Sequence, residues 1–193
     1  MIIRKLYEFE NAHIVRLCGS KRCRTSIHGH SYRCEILLSS NFLDEAGMVY
    51  DFGYMKLGIR ELIDSFDHAT TIYARDDASY IADLKKHSAR WVQIPLNPSA
   101  EQFCRIFFVL VDRLLSLTQM QNGEREVKLH SVIVHETTTG YAQCFRDDAY
   151  NAQMGEIALD EIEFSPAVRE EWRQPELWQK LLRGEKIIYP KDC

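Results

Sequence analysis

Apolar and polar residues alternate with period two between Ile2 and His13, which predicts a strand with Tyr7, Phe9, Asn11 and His13 on one face. A polar loop, Leu17 to Ile27, leads to a second predicted strand from His28 to about Ser39. One face of it carries His28, His30, Tyr32, Cys34, Ile36 and Leu38. Gly47 to Asp51 reads as a short extended piece. The spacing then turns helical: Phe52, Met55, Ile59, Leu62, Ile63 and Phe66 predict an amphipathic helix ending near Asp67. A second helix is predicted from about Asn97 to about Leu117. Pro98 suits its first turn, Ser99 and Gln102 have capping-box spacing, and Phe103, Ile106, Phe107, Leu110 and Leu114 form its apolar stripe. Val127 to Glu136 and Tyr141 to Arg146, joined by the turn Thr137 to Gly140, predict a hairpin. Strands in pairs, each pair followed or preceded by a helix, predict an antiparallel α+β layer and not a parallel βαβ sheet.

Two segments stand outside that skeleton. Ala69 to Leu96 holds a polar helical stretch, Asp76 to His87, and is expected to be a surface insertion within a domain spanning 1–147. The charged tail 148–193, punctuated by Pro166, Pro175 and Pro190, is expected to form small helices such as Pro175 to Leu182. It would wrap the core or a neighbour as part of the same domain unit.

With 193 residues, 46% of them hydrophobic, the chain supports one well-buried core. Its net charge of -4, with both signs mixed along the chain, leaves no basic stripe for nucleic acid. Met1 to Lys5 holds no apolar signal core, and the longest apolar run, Ile106 to Val111, is far shorter than the roughly 20 residues a bilayer span requires. A cytoplasmic protein with no membrane partner is expected. The six cysteines (18, 23, 34, 104, 144 and 193) lack disulfide-framework spacing and read as reduced thiols. Cys34 and Cys104 fall on buried patterns, whereas Cys18 and Cys23 lie in the polar loop and are the candidates for reactivity.

Chemistry concentrates at the loop-proximal ends of the first two strands. A His-x-His step aims His28 and His30 at the same side of a sheet, and His13 ends the neighbouring strand. Three imidazoles with an open fourth position are the way catalytic zinc is held. Gly29 between the pair permits close approach of another backbone. Any one of these histidines alone reads as an ordinary structural residue; jointly they read as a metal set. No glutamate stands beside them in the HExxH manner, which argues against a zinc hydrolase.

Six short blocks, in order from residue 9 to about 141, resemble one family. They are Phe9-Glu10-Asn11-Ala12-His13, Cys23 with His28-Gly29-His30-Ser31-Tyr32, Gly47-Met48-Val49-Tyr50-Asp51-Phe52, Asp67-His68, Ser99-Ala100-Glu101-Gln102, and His135-Glu136-Thr137. The family is that of 6-pyruvoyltetrahydropterin synthase and the bacterial 6-carboxytetrahydropterin synthase of the queuosine pathway. The resemblance implies a tunnelling fold: a four-stranded antiparallel sheet backed by two long helices, assembled into homo-oligomeric barrels with pterin sites at subunit boundaries. It implies that His13, His28 and His30 hold Zn²⁺, that Cys23, Asp67 and His68 move protons, and that Glu136 anchors the pterin. Cys18, ten residues before the histidine pair, is a second candidate thiol.

Physical chemistry supports these roles individually. A thiol of reference pKa about 8.5 needs a proton acceptor to act as a base, and His68 oriented by Asp67 would provide one. By themselves, apart from the resemblance, Asp67 and His68 read more readily as helix-end capping and turn formation. Glu136 matches the amino group and ring N–H of a pterin, with a salt bridge across the hairpin as its plainer alternative. Arg16, Lys21, Arg22 and Arg24 are the nearest cations for a triphosphate. The expected activity is a zinc-dependent lyase converting 7,8-dihydroneopterin triphosphate to 6-carboxy-5,6,7,8-tetrahydropterin, acetaldehyde and triphosphate. The alternatives are 6-pyruvoyltetrahydropterin as product, or a non-catalytic zinc-binding structural or partner-binding module.

Overall fold

A computed structural model describes residues 1–190, so that Cys193 and the last residues of the tail lie outside the described residues. The strands are β1 (Ile2–His13), β2 (His28–Ser39), β3 (Ala69–Tyr73), β4 (Trp91–Ile94), β5 (Lys128–His135), β6 (Tyr141–Cys144) and β7 (Glu163–Phe164). The helices are α1 (Lys21–Thr25), α2 (Gly58–Asp64), α3 (Ala78–His87), α4 (Ala100–Leu117), α5 (Arg146–Ala149), α6 (Pro166–Glu170) and α7 (Leu177–Arg183). The seven strands form one sheet in the order β6-β5-β2-β1-β3-β4-β7.

The antiparallel half, β6-β5-β2-β1, is the sheet that the alternation predicts. β1 and β2 pair along their whole length, from Ile2 opposite Ser39 to His13 opposite His28. Their shared inner face is buried: Tyr7, Phe9, Tyr32, Cys34, Ile36 and Leu38 are all at most 1% exposed. α4 lies over β5 and β6 on that face and starts where the capping signal places it, with Ser99 Oγ accepting the Gln102 N–H. At the histidine end of the sheet the core is aromatic. Phe9 stacks on Tyr32 at 4.9 Å between ring centres, and Phe66 meets Phe107 edge-on at 4.9 Å. Cys34 and Cys104 are fully buried as expected, and burial raises both thiols far above the ordinary cysteine range.

Four expectations are corrected. The sheet has seven strands and is mixed, not four-stranded and antiparallel, because the 69–96 insertion supplies β3 and β4 and the tail supplies β7. β3 pairs parallel to β1 at Asn11 and Ala12, and β4 pairs parallel to β3. The connection between them is α3, which buries no residue fully and half-buries the short apolar stripe Tyr80, Ile81 and Leu84. The predicted Phe52–Asp67 helix is broken: a single 3-10 turn (Tyr54–Lys56) precedes the seven-residue α2, leaving α4 as the one long helix of the expected two. Its predicted apolar face is nonetheless buried except for Phe52, which is 45% exposed. Gly47 to Asp51 forms turns and bends and joins no strand.

The tail wraps its own core. Phe164 of β7 packs on Trp178 at 4.9 Å and on Trp172 at 5.3 Å, and Trp172 Nε1 donates to Ser65 Oγ. Gly58 makes room for this wrap, since a Cβ there would lie 2.3 Å from the Tyr189 hydroxyl. Where the tail leaves the sheet, the buried Arg105 donates to the carbonyls of Asp148, Ala149, Asn151, Met154 and Gly155. Such a hub satisfies five acceptors with one side chain and fixes the departing backbone. Because Trp178 is buried within the chain, Trp178→Ala is expected to lower unfolding free energy by about 3–5 kcal/mol in urea titration. A change below about 0.5 kcal/mol would contradict the packing described here.

Candidate metal and proton-transfer site

The register that buries the core also assembles the imidazoles. His13 closes β1, His28 opens β2, and His30 follows two residues later on the same face. One ligand nitrogen of each lies within 4.8 Å of those of the other two. His13 Nδ1 sits 2.6 Å from the Pro98 carbonyl and His28 Nδ1 3.0 Å from the Ser26 carbonyl. A carbonyl only accepts, so each Nδ1 carries the proton and each Nε2 presents its lone pair. Burial pushes the His13 pKa down to about 4. The Pro98 carbonyl opposes that shift, and the two neighbouring imidazoles add to it. His13 is therefore a neutral base near pH 7, the form that binds a metal.

Glu136 follows β5 directly and reaches toward this set, with Oε1 3.8 Å from His13 Nε2 and 3.9 Å from His30 Nε2. The Tyr32 hydroxyl donates to the same oxygen at 3.2 Å. Burial first, and then the carboxylate, raise the Tyr32 pKa, so the phenol stays protonated and remains a donor. The plainer reading of Glu136, a salt bridge across the hairpin, does not occur: among the described residues no Lys or Arg pairs with it. One carboxylate oxygen, bonded to a phenol and close to two imidazoles, leaves the second oxygen for a ligand N–H.

Asp67 and His68 are built as an oriented pair. Asp67 Oδ2 lies 2.9 Å from His68 Nδ1, while Oδ1 accepts the Glu10 N–H at 2.7 Å. His68 holds φ at +51°, a left-handed conformation costing a non-glycine residue roughly 1–2 kcal/mol. Neighbouring bonds hold it there. The His68 N–H donates to the Glu10 carbonyl, and the buried Asn11 amide donates to Phe66 and Ala69 on either side of the pair. The imidazole is 74% exposed. It borders a cleft of about 340 Å³ lined by Glu10, Ala12, Gly29 and Ser31, whose side chains belong to the sheet face opposite that of His13 and His28, and by Asn11 and His30 of the imidazole-bearing face.

The seven candidate residues thus fall into three groups. His13, His28, His30 and Glu136 come together. Asp67 and His68 pair with each other on the other face. Cys23 sits on α1, half-buried, with its carbonyl accepting the Val15 N–H, and its thiol joins neither group among the described residues. Cys18 turns its Sγ to the Ser20 carbonyl at 3.3 Å. Of the four loop cations, Arg16 pairs with Asp76, and Arg24 donates to the carbonyls of Cys18 and Gly19. Lys21 and Arg22 are exposed without an ion pair among the described residues. Sequence reading missed Tyr32, although it lies one strand step beyond His30 on the same face. It had no means of finding the Pro98 and Ser26 carbonyls, because every residue carries one.

A family model described as 6-pyruvoyl tetrahydropterin synthase matches residues 2–147. A Helicobacter pylori protein named 6-carboxy-5,6,7,8-tetrahydropterin synthase is 35% identical over 190 residues, covering 98% of this chain and 95% of its own. An Aquifex aeolicus protein of the same name is 29% identical over 121 residues, 61% of this chain and 73% of its own. Among solved structures, an uncharacterized Wolinella succinogenes protein superposes with a TM-score of 0.59 at 19% identity, covering 76% of this chain and 98% of its own. The 6-pyruvoyl tetrahydropterin synthase of Plasmodium vivax gives 0.55 at 20% identity with the same coverage. The last two speak to the fold alone. Among the described residues no helix is long and apolar enough to cross a membrane. With the family model spanning β1 through β6 and full-length likeness at 35% identity, the chain belongs to the 6-pyruvoyl tetrahydropterin synthase family.

Proposed function

We propose that the protein is a zinc-dependent lyase acting on 7,8-dihydroneopterin triphosphate in the cytoplasm. It takes up one water and releases 6-carboxy-5,6,7,8-tetrahydropterin, acetaldehyde and triphosphate, a product suited to 7-deazaguanine (queuosine) synthesis. The observation that carries this reading is the convergence of three imidazoles, two with Nδ1 held by backbone carbonyls, beside a carboxylate that pairs with no Lys or Arg among the described residues. That donor set fits Zn²⁺ with a position left open. When bound, the ion would supply a Lewis-acid hold on the substrate's side-chain hydroxyls, making the adjoining C–H easier to ionise.

The chain's own residues do the rest. Glu136, held by Tyr32, would accept the pterin amino and ring N–H and so fix the ring beside the imidazoles. Cys23 would remove or return the carbon-bound proton, and His68, oriented by Asp67, would exchange protons with solvent or substrate. Since the Asp67–His68 pair opens on the face opposite the imidazoles, it would serve the site of an adjacent subunit in a homo-oligomer, with sites at the boundaries. Lys21 and Arg22 remain as cations for the triphosphate.

Three outcomes test this. The protein should purify with zinc, and Cys23→Ala and Asp67→Asn should keep the metal while turnover falls roughly 10²–10⁴-fold. Zinc retained without turnover in the unaltered protein would establish the non-catalytic module instead, and triphosphate release without acetaldehyde would establish the pyruvoyl product. Glu136→Gln should raise KM with zinc content unchanged. Mixed oligomers of Cys23→Ala and His68→Ala chains should regain activity that neither shows alone, whereas continued inactivity would place all site residues in one chain.

The fourth outcome follows from the depressed His13 pKa. The unfolded chain binds a proton at His13 near pH 6.5, but the folded, metal-free chain does so only near pH 4. The folded state is therefore favoured above pH 6.5, and its advantage is lost as pH falls from 6.5 to 4, by about 3 kcal/mol in total. Urea unfolding of the chelated protein at pH 7 and pH 4.5 should show this decline, and His13→Gln should remove much of it.

A further inference from the structure

Arg16 ties the 69–96 insertion to the loop bearing Cys23. Its Nε donates to Asp76 Oδ1 at 2.6 Å, its guanidinium lies over the Tyr80 ring at 5.1 Å, and a terminal nitrogen lies 3.5 Å from the carbonyl of Arg24, the residue after Cys23. The Asp76 carboxylate is 8% exposed, so the pair is largely withdrawn from water. The Arg16 backbone is held as firmly: its N–H donates to Asn97 Oδ1 and its carbonyl accepts from Asn97 Nδ2. Asn97 precedes Pro98, whose carbonyl orients His13, and Val15 N–H bonds the Cys23 carbonyl. The same few residues therefore touch the insertion, the metal set and the thiol-bearing helix.

We infer that Arg16 is a positioning residue, through which the insertion sets where the Cys23 thiol stands relative to the imidazoles. In this arrangement Arg16 is not a ligand of the substrate's phosphates, since its guanidinium is already bound to Asp76, Tyr80 and the α1 backbone. The inference rests on the proposed role of Cys23 in turnover. Small displacements of a reacting group lower the rate of the chemical step, whereas loss of a phosphate contact weakens binding.

The test compares Arg16→Gln, Asp76→Asn, their combination and Arg16→Lys, in the zinc-loaded full-length protein. The readouts are zinc content, kcat and KM with 7,8-dihydroneopterin triphosphate, and the iodoacetamide alkylation rate of Cys23 measured by peptide mass spectrometry. Arg16→Gln and Asp76→Asn should each lower kcat about tenfold with KM within about twofold. The double variant should be no worse than the worse single, and Arg16→Lys should recover part of the loss. Alkylation of Cys23 should change at least about threefold in both single variants with zinc retained. A raised KM at unchanged kcat in Arg16→Gln, with Asp76→Asn neutral, would overturn the inference and make Arg16 a phosphate ligand. Unchanged alkylation in both variants would also overturn it. Should the unaltered protein lack turnover, the lyase reading fails and the alkylation rates alone judge the clamp. Should Arg16→Gln not fold, Asp76→Asn carries the same comparison.

Discussion

The antiparallel register of β1 against β2 is the constraint on which the rest depends. It places His13 opposite His28, and by period two it sends Asn11, Phe9 and Tyr7 inward beside His30, Tyr32 and Cys34. A slip of one residue would turn the imidazoles to the other face of the sheet and carry the aromatic core with them. Site and core are therefore specified by one pairing, and the burial of Phe9 on Tyr32 and Phe103 stabilises the ligand geometry as well as the fold. That coupling explains why the site lies at the end of long, fully paired strands: a rigid support holds side chains closer to a productive geometry than a loop does.

Burial then decides the chemistry of each group. His13, without solvent exposure, is held neutral, the form in which its nitrogen could serve a metal. Tyr32 is buried as a phenol and can only strengthen the Glu136 carboxylate by donating to it. Glu136 itself keeps 32% of its side chain exposed, so water reaches a carboxyl group that meets no Lys or Arg among the described residues. A gradient runs from dry imidazole to wet carboxylate across less than 4 Å, and a flat, hydrogen-bonding ring seated there would span it.

What the sequence revealed follows from how local each signal is. β1, β2 and the β5–β6 hairpin were readable because alternation over whole strands has one interpretation, and α4 because Ser99 and Gln102 mark its start. β3, β4 and β7 escaped because five, four and two residues are too few for a period, and because none of them is joined by a tight turn to a longer strand as β6 is joined to β5. The same limit governs the site. His13, His28 and His30 share a face by spacing alone, whereas the separation of Cys23 from His68 depends on which face a turn opens, and no spacing records that. The insertion looked peripheral for a related reason: its tie to the Cys23 loop runs through an arginine, and an arginine in a charged loop usually reads as solvated.

In the proposed lyase, residues 10 to 13 would keep one chain from closing the proton path alone. Asn11 and His13 point to the core, where Asn11 secures the Asp67–His68 turn from behind and His13 adds one of the three imidazoles that could hold a metal. Glu10 and Ala12 point to the opposite face, where the Glu10 backbone accepts the His68 N–H and donates to Asp67. A single stretch of strand thus organises both halves of the chemistry, and strand geometry obliges it to put them on opposite sides. A rotation of His68 does not undo this, because its left-handed backbone is fixed by Glu10 and its ring by Asp67. In the proposed lyase, a second copy must bring its own outward face to the first copy's imidazoles. Assembly is then part of the catalytic geometry, and the alternation of four residues is its cause.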